Sequence, residues 1–168
     1  MIGRALIDNS AWARLESRLL DQSRAAEVIE AVRREELHVS LPFLLEAGYS
    51  AQSGPRHRDL FNDLLKFPWA AIDHGVERRA LEAQRQLAVV GHHRMPAVDL
   101  IIAALADRHG LGVLHYDRDF DVIAEKTDLR FTSEWLAPAG SLGEDSAIVA
   151  ARAKREEGEC GLGRSCNF

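Results

Sequence analysis

Cysteine is almost missing from this chain. Two occur in 168 residues, Cys160 and Cys166, both among the last nine positions. A core without thiols cannot be disulfide-stapled, and two tail cysteines alone do not make a zinc site. Lysine is also scarce, present only at Lys66, Lys126 and Lys154, so arginine supplies nearly all the positive charge. No apolar run approaches the ~20 residues a membrane span requires. The opening Met1-Ile2-Gly3-Arg4-Ala5-Leu6-Ile7-Asp8 meets an acid before any signal-peptide core could form, which sets the expectation of a cytoplasmic protein. There is no Gly-x-Ser-x-Gly elbow, which argues against a serine hydrolase. Gly161-Leu162-Gly163 lacks the third glycine and the strand-to-helix setting of a dinucleotide fingerprint. No internal repeat occurs.

What is present suits one α/β core. Apolar residues make up 46% and charged residues 28% of the chain, a globular balance at a length typical of one domain. The formal net charge of −5 works against phosphate-backbone binding, so contact with nucleic acid would need local basic patches or bound cations. Short apolar strands alternate with helical patterns. Ala5-Leu6-Ile7 reads as a strand, with a helix from Ala11 towards Leu20 and another from Arg24 to Leu37. A strand at His38–Leu41 precedes a helix that starts at Pro42 and carries Glu46. Ser53-Gly54-Pro55 is read as its stop, and His57–Lys66 as the next helix. A strand within Phe67–Asp73, a charged helix Val76–Val90, an apolar helix Ala97–Arg108, a strand Gly112–Tyr116, a helix Phe120–Lys126 and a strand near Leu129–Thr132 follow. That alternation predicts a mostly parallel sheet covered by helices on both faces, with chemistry at the carboxyl ends of its strands. Residues 138–168 are expected to form a partly disordered extension, with a charged helix over Ala147–Glu157, beyond a domain of residues 1–137.

Four acids occupy unusual positions. Asp8 closes an apolar strand, and Glu46 sits in the apolar stretch Pro42-Phe43-Leu44-Leu45-Glu46-Ala47. Asp99 lies in the first turn of an almost wholly apolar helix, and Asp117 opens Asp117-Arg118-Asp119-Phe120 at a strand end. Clustered carboxylates repel one another and stay ionised only beside cations. An all-oxygen donor set without His or Cys suits Mg²⁺ or Mn²⁺, which can activate water against a phosphoryl group. Singly, each acid has a plainer reading. Asp8 and Asp99 fit helix N-termini, Glu46 fits an amphipathic surface, and Asp117 fits a turn. The functional case rests on the set.

At this set the sequence resembles PIN-domain ribonucleases, and among them the VapC-type toxins of toxin–antitoxin modules. Leu6-Ile7-Asp8-Asn9-Ser10-Ala11 resembles the family's opening strand and acid, with Asn9 where Thr is frequent. Leu44-Leu45-Glu46 resembles its second acidic position. Asp99-Leu100-Ile101-Ile102-Ala103-Ala104 and Gly112-Val113-Leu114-His115-Tyr116-Asp117-Arg118-Asp119-Phe120 resemble the third and fourth. The resemblance covers about residues 4–136. It implies a three-layer α/β/α domain that cleaves single-stranded or loop RNA with Mg²⁺ or Mn²⁺. Asp8, Glu46, Asp99 and Asp117 would be catalytic, and Asp8, Asp99 and Asp117 would hold the metal. Ser10 and Asp119 would give support. It also implies a homodimer and a cognate antitoxin as partners.

Around the acids, His92-His93-Arg94 is the foremost candidate for RNA contact, with Arg56-His57-Arg58 and Arg78-Arg79 as further patches and a solvated surface as the plainer reading. Trp12, Tyr49, Phe61 and Trp69 could stack on bases or receive a partner helix, with core packing the plainer reading for Phe61. Trp12, one turn after Asp8, is the preferred groove residue. Two competing readings remain. Leu114-His115-Tyr116-Asp117-Arg118-Asp119 also resembles the nucleophile strand of haloacid-dehalogenase-like phosphatases, though only about 50 residues follow Asp117. A non-catalytic PIN-like binding scaffold is the other.

Overall fold

The computed structural model describes residues 1–143. The expected helix over Ala147–Glu157, Cys160 and Cys166 fall outside those residues. Five strands, β1 (Ala5–Ile7), β2 (Leu37–Ser40), β3 (Trp69–Ala70), β4 (Gly112–His115) and β5 (Ser133–Trp135), form one sheet in the order β3-β2-β1-β4-β5. Every pairing is parallel, with Leu6 opposite both His38 and Val113, and Leu114 opposite Glu134. The strands are short and apolar on both sides because both faces are covered. Ala5, Ile7, Val39 and Leu114 point into one core layer with α2 (Gln22–Arg33) and α3 (Leu41–Tyr49). Leu6 and Val113 point into the other, against α5 (His74–Val89), α6 (Ala97–His109) and α7 (Asp119–Lys126). Fully buried Leu105 and Phe120 each contribute roughly 1.5–3 kcal/mol of apolar burial there. This is the three-layer α/β/α arrangement with a parallel sheet that the alternation predicts.

The chain starts in mid-sheet, builds outward through β2 to β3, then crosses back to β4 on the other side of β1. The reversal leaves a crevice beyond the carboxyl ends of β1 and β4, where ligands bind in open parallel sheets.

Local chemistry sets the helix ends. Asp21 caps α2 by accepting from the Ser23 and Arg24 amides, and Asp73 caps α5 by accepting from the Val76 amide. Gly110, in the left-handed conformation at φ 63°, ends α6.

Some expected boundaries change. The helix expected over Ala11–Leu20 is only α1 (Asn9–Trp12), followed by successive turns. Leu15, Ser17 and Leu20 bond three residues back, and Leu15 and Leu20 still pack on the core. Ser53 does not merely end α3. It caps α4 (Gly54–Leu64) by accepting from the Arg56 amide, so that helix begins three residues before His57. The helix expected to reach Leu37 stops at Arg33, and Glu35 adopts φ 56°, turning the chain into β2. The last strand is not Leu129–Thr132 but Ser133–Trp135. Leu129 and Phe131 pack into the helical layer, and the Thr132 carbonyl accepts from the Val113 amide to set the register. Packing continues to Leu142, which is buried and donates its amide to Tyr116 Oη. No helix among the described residues is long and apolar enough to cross a membrane.

Candidate active site

The acids converge on the crevice. Asp8 directly follows β1, still extended, so the strand's alternation turns its side chain to the Leu6 face, towards α6. Its carboxylate accepts from the Ser10 amide at 2.8 Å and from the Ser10 hydroxyl. That hydroxyl also accepts from the Tyr116 amide at 2.9 Å. One serine side chain thus joins the ends of β1 and β4. Asp99 stands in the first turn of α6. Asp117 follows β4, and its Oδ1 accepts from the Asp119 amide at 3.1 Å as α7 begins.

Carboxylate oxygens of Asp99, Asp117 and Asp119 all lie within 4.8 Å of one another. The crowding is electrostatic as well as geometric. Burial, reinforced by the charges of Asp8, Asp117, Asp119 and Glu46, pushes the Asp99 carboxyl up to about 8. Asp8 is 4% exposed, and its carboxyl is raised chiefly by burial, with the Asp117 charge adding to the rise and the Ser10 hydrogen bonds opposing it. Five carboxylates from β1, α3, α6 and the β4–α7 junction therefore share one region. The donor set fits a hard divalent cation, because it offers several oxygens at ligand spacing, no soft donor, and a charge excess that a cation would relieve.

Three groups that the sequence did not single out support the acids. His115 is fully buried in β4, and burial pushes its imidazole down to about 4. Its Nδ1 accepts from the Asp117 amide at 3.2 Å, and Nε2 lies 2.7 Å from Ser133 Oγ. Asp121, in the first turn of α7, accepts from Ser133 Oγ at 2.5 Å and from the Trp135 indole at 2.8 Å. Arg14, 7% exposed, donates to the Ser10 carbonyl at 2.9 Å and lies over the Tyr116 ring at 4.6 Å. The one local signal was a histidine inside an otherwise apolar buried strand.

Other candidates lie elsewhere. His92, His93 and Arg94 are exposed in the loop before α6 and are not part of the acid cluster. The Glu125 carboxyl in the last turn of α7 is lowered chiefly by its hydrogen bond from Lys126, with a small electrostatic contribution from His92. Trp12 is half-buried edge-to-face on Phe43. Phe61 packs on the core with His57 stacked on it at 4.4 Å. Tyr49 and Trp69 are exposed. Arg78 is exposed, whereas Arg79 spends its donors on Asp107 and Asp128. The cleft of about 610 Å³ beside it, lined by Arg79, Asp107, Thr127, Asp128, Leu129 and Arg130, contains none of the clustered acids and is an ion-paired strut.

Residues 5–126 match the family described as PIN domain. The Asp117-Arg118-Asp119 stretch falls within that match, which removes the dehalogenase-like reading. Among curated relatives, Ribonuclease VapC2 of Mycobacterium tuberculosis is 41% identical over 74% of this chain and 87% of its own length. Ribonuclease VapC18 of the same organism is 32% identical over 81% and 97%. Among solved structures, DNA-bound VapBC from Salmonella typhimurium aligns at TM-score 0.61 and 17% identity, over 82% of this chain and all of that one. At such identity the likeness speaks for the fold alone. The chain belongs to the PIN-domain family and, within it, to the VapC group.

Proposed function

We propose that this chain is an endoribonuclease that cleaves single-stranded or loop RNA with Mg²⁺ or Mn²⁺, and that it is the toxin of a type II toxin–antitoxin pair acting in the cytoplasm. The observation that carries the metal-dependent chemistry is the convergence of Asp99, Asp117 and Asp119, whose carboxylate oxygens lie within 4.8 Å of one another, at a place where burial first and the charges of Asp8, Asp117, Asp119 and Glu46 next raise the Asp99 carboxyl. Such a cluster is electrostatically unfavourable until a cation joins it. Asp8, Asp99 and Asp117 would hold the ion together with Asp119, whose carboxylate oxygen lies at ligand spacing from those of Asp99 and Asp117, and Glu46 would complete the acidic wall. Bound there, the ion would neutralise charge on the phosphodiester and favour attack by water. The chain's own part is orientation: Ser10 fixes the Asp8 carboxylate, and the Asp119 amide fixes that of Asp117. The exposed His92, His93 and Arg94 are the proposed contacts for the RNA backbone, since the net charge of −5 offers no general attraction.

The relatives' printed names support the substrate, and solved neighbours described as toxin–antitoxin complexes support the partner. A protein partner and a homodimer also suit the exposed apolar residues Leu41, Leu45 and Tyr49, spaced along one face of α3 beside Glu46.

Unstructured RNA incubated with the purified chain and Mn²⁺ should be cut. Chelator should stop the reaction, and Asp8→Asn and Asp99→Asn should remove it while circular dichroism stays unchanged. Cleavage that survives both substitutions, or RNA bound without being cut, would overturn this function.

A further inference from the structure

Asp117 is held from behind as well as in front. Behind it runs a chain of hydrogen bonds that leaves β4, crosses to β5 and returns through α7. The Asp117 amide meets His115 Nδ1 at 3.2 Å, and His115 Nε2 meets Ser133 Oγ at 2.7 Å. Ser133 Oγ meets Asp121 Oδ1 at 2.5 Å, and the Trp135 indole meets Asp121 Oδ2 at 2.8 Å.

Every link has a forced direction. A backbone N–H can only donate, so Nδ1 must carry a lone pair and the proton of the neutral ring must sit on Nε2. Nε2–H then donates to Ser133 Oγ, whose single hydrogen goes to the Asp121 carboxylate. The indole N–H, also a donor only, takes the other carboxylate oxygen. The imidazole is wedged between the rings of Phe120 and Trp135, with centroids 5.0 and 5.1 Å away. No link can reverse without breaking its neighbour.

We propose that His115 is a positioning residue which, through Ser133 and Asp121, fixes where Asp117 stands relative to Asp119 and so sets the affinity of the acid cluster for its cation. The geometry is specific to that task. Asp117 lies two residues past the end of β4 while Asp119 begins α7, so their separation depends on how those elements are joined. Asp121 shares the first turn of α7 with Asp119, and His115 lies two residues before Asp117. The circuit therefore ties the two acids together from outside the short link that carries them. Its far side, Ser133 and Trp135, lies beyond the family match at residues 5–126. Strand β5 thus supports a site whose acids all precede it. Residues that orient ligands without touching the ion commonly change affinity or activity 10- to 100-fold, as an order of magnitude. This inference rests on the metal-site reading above.

The test uses the full chain, with Mn²⁺ as the calorimetric probe at neutral pH, alongside RNA-cleavage kinetics and denaturation curves. His115→Leu removes both bonds. His115→Asn keeps an acceptor near the place of Nδ1, and Ser133→Ala cuts the circuit one link further out. We expect His115→Leu to weaken Mn²⁺ binding about 10- to 100-fold and to lower kcat more than it raises KM. His115→Asn should restore most of the affinity, and Ser133→Ala should lose several-fold. Nitrogen NMR of the wild-type ring should show the proton on Nε2. Wild-type Mn²⁺ affinity in a cooperatively folded His115→Leu or in Ser133→Ala overturns the positioning role, as does an Asn variant as weak as Leu or a proton on Nδ1. Should His115→Leu not fold, Ser133→Ala and the ring spectrum decide alone. Wild-type Mn²⁺ affinity in Asp99→Asn overturns the underlying metal-site reading and this role with it. Loss of binding in Asp99→Asn beside wild-type affinity in Ser133→Ala overturns the positioning role only.

Discussion

Neutralising Asp99 should make the metal-free protein more stable while removing its response to metal. In the folded chain the Asp99 carboxyl rises from 3.8 to about 8, chiefly through burial. A group raised on folding binds more protons in the native than in the unfolded state, so its favourable contribution is complete below pH ~4 and is lost as pH climbs towards 8. At about 1.4 kcal/mol per unit the full shift corresponds to roughly 6 kcal/mol. The cluster shares its protons and draws counter-ions from solvent, so about 2 kcal/mol is the size to expect. Asn is neutral at every pH and escapes the penalty. In chelator at pH 8, Asp99→Asn should therefore melt roughly 4–8 °C above wild type, with a smaller gap at pH 5. Taking the difference between the two proteins at each pH cancels the carboxylates both share, including the strongly lowered Glu82. Saturating Mn²⁺ should invert the order, because wild type gains about 2.7 kcal/mol at a hundredfold excess over Kd and the variant gains little. Calorimetric melts at both pH values, with and without Mn²⁺, provide the four curves. A variant no more stable than wild type at pH 8 without metal would refute the electrostatic reasoning, whatever its activity.

Three further outcomes follow from the packing. Ser10→Ala deletes the hydroxyl shared by Asp8 and the Tyr116 amide. It should cost about 1–3 kcal/mol in urea titration and roughly 10- to 100-fold in cleavage, with Ser10→Thr recovering both; intact cleavage in the alanine variant would count against the clamp. Gly48→Ala brings a methyl to 2.8 Å from Phe61 Cε2 and 3.1 Å from His57 Nε2, so the stacked Phe61 and His57 rings on α4 must shift at a cost of about 1–3 kcal/mol; an unchanged unfolding midpoint would contradict that contact. Asp73→Ala removes the α5 cap at the Val76 amide and the partner of Arg108, which should lower stability by about 1 kcal/mol and leave RNA cleavage and Mn²⁺ binding as they were.

Much of the architecture was legible because it follows from local chemistry. Apolar β1, β2 and β4 stand out where both faces are covered, and α5 and α6 stand out through periodicity and their caps. Errors gathered where tertiary contacts outvote pattern. Leu129 and Phe131 look like a strand, but they belong to the helical layer. Ala13 to Leu20 looks like a helix, but it runs as successive turns that bond three residues back while Leu15 and Leu20 pack on the core. Among the candidate residues, Asp8 and Asp117 could be read from strand ends and Asp99 from a lone acid in an apolar helix. Glu46 rested on resemblance. Its charge on Asp99 is a through-space effect that no spacing encodes.

By itself the sequence determined the alternation of elements, and hence a covered parallel sheet, because each strand and helix carries its own periodicity and termini. It also determined that the four residues singled out as a set, Asp8, Glu46, Asp99 and Asp117, are all carboxylates and so offer hard oxygen donors. Only the tertiary structure decided that Asp99, Asp117 and Asp119 come within 4.8 Å. It alone decided that Ser10 bridges β1 to β4, and that His115 is locked to Ser133 and Asp121. The Ser10 bridge depends on strand order, which sets β1 beside β4 and so joins residues 106 positions apart. In the unfolded chain Asp8, Glu46 and Asp99 stand far along the sequence from Asp117 and Asp119, and folding brings them together and creates the added repulsion that a bound cation would relieve.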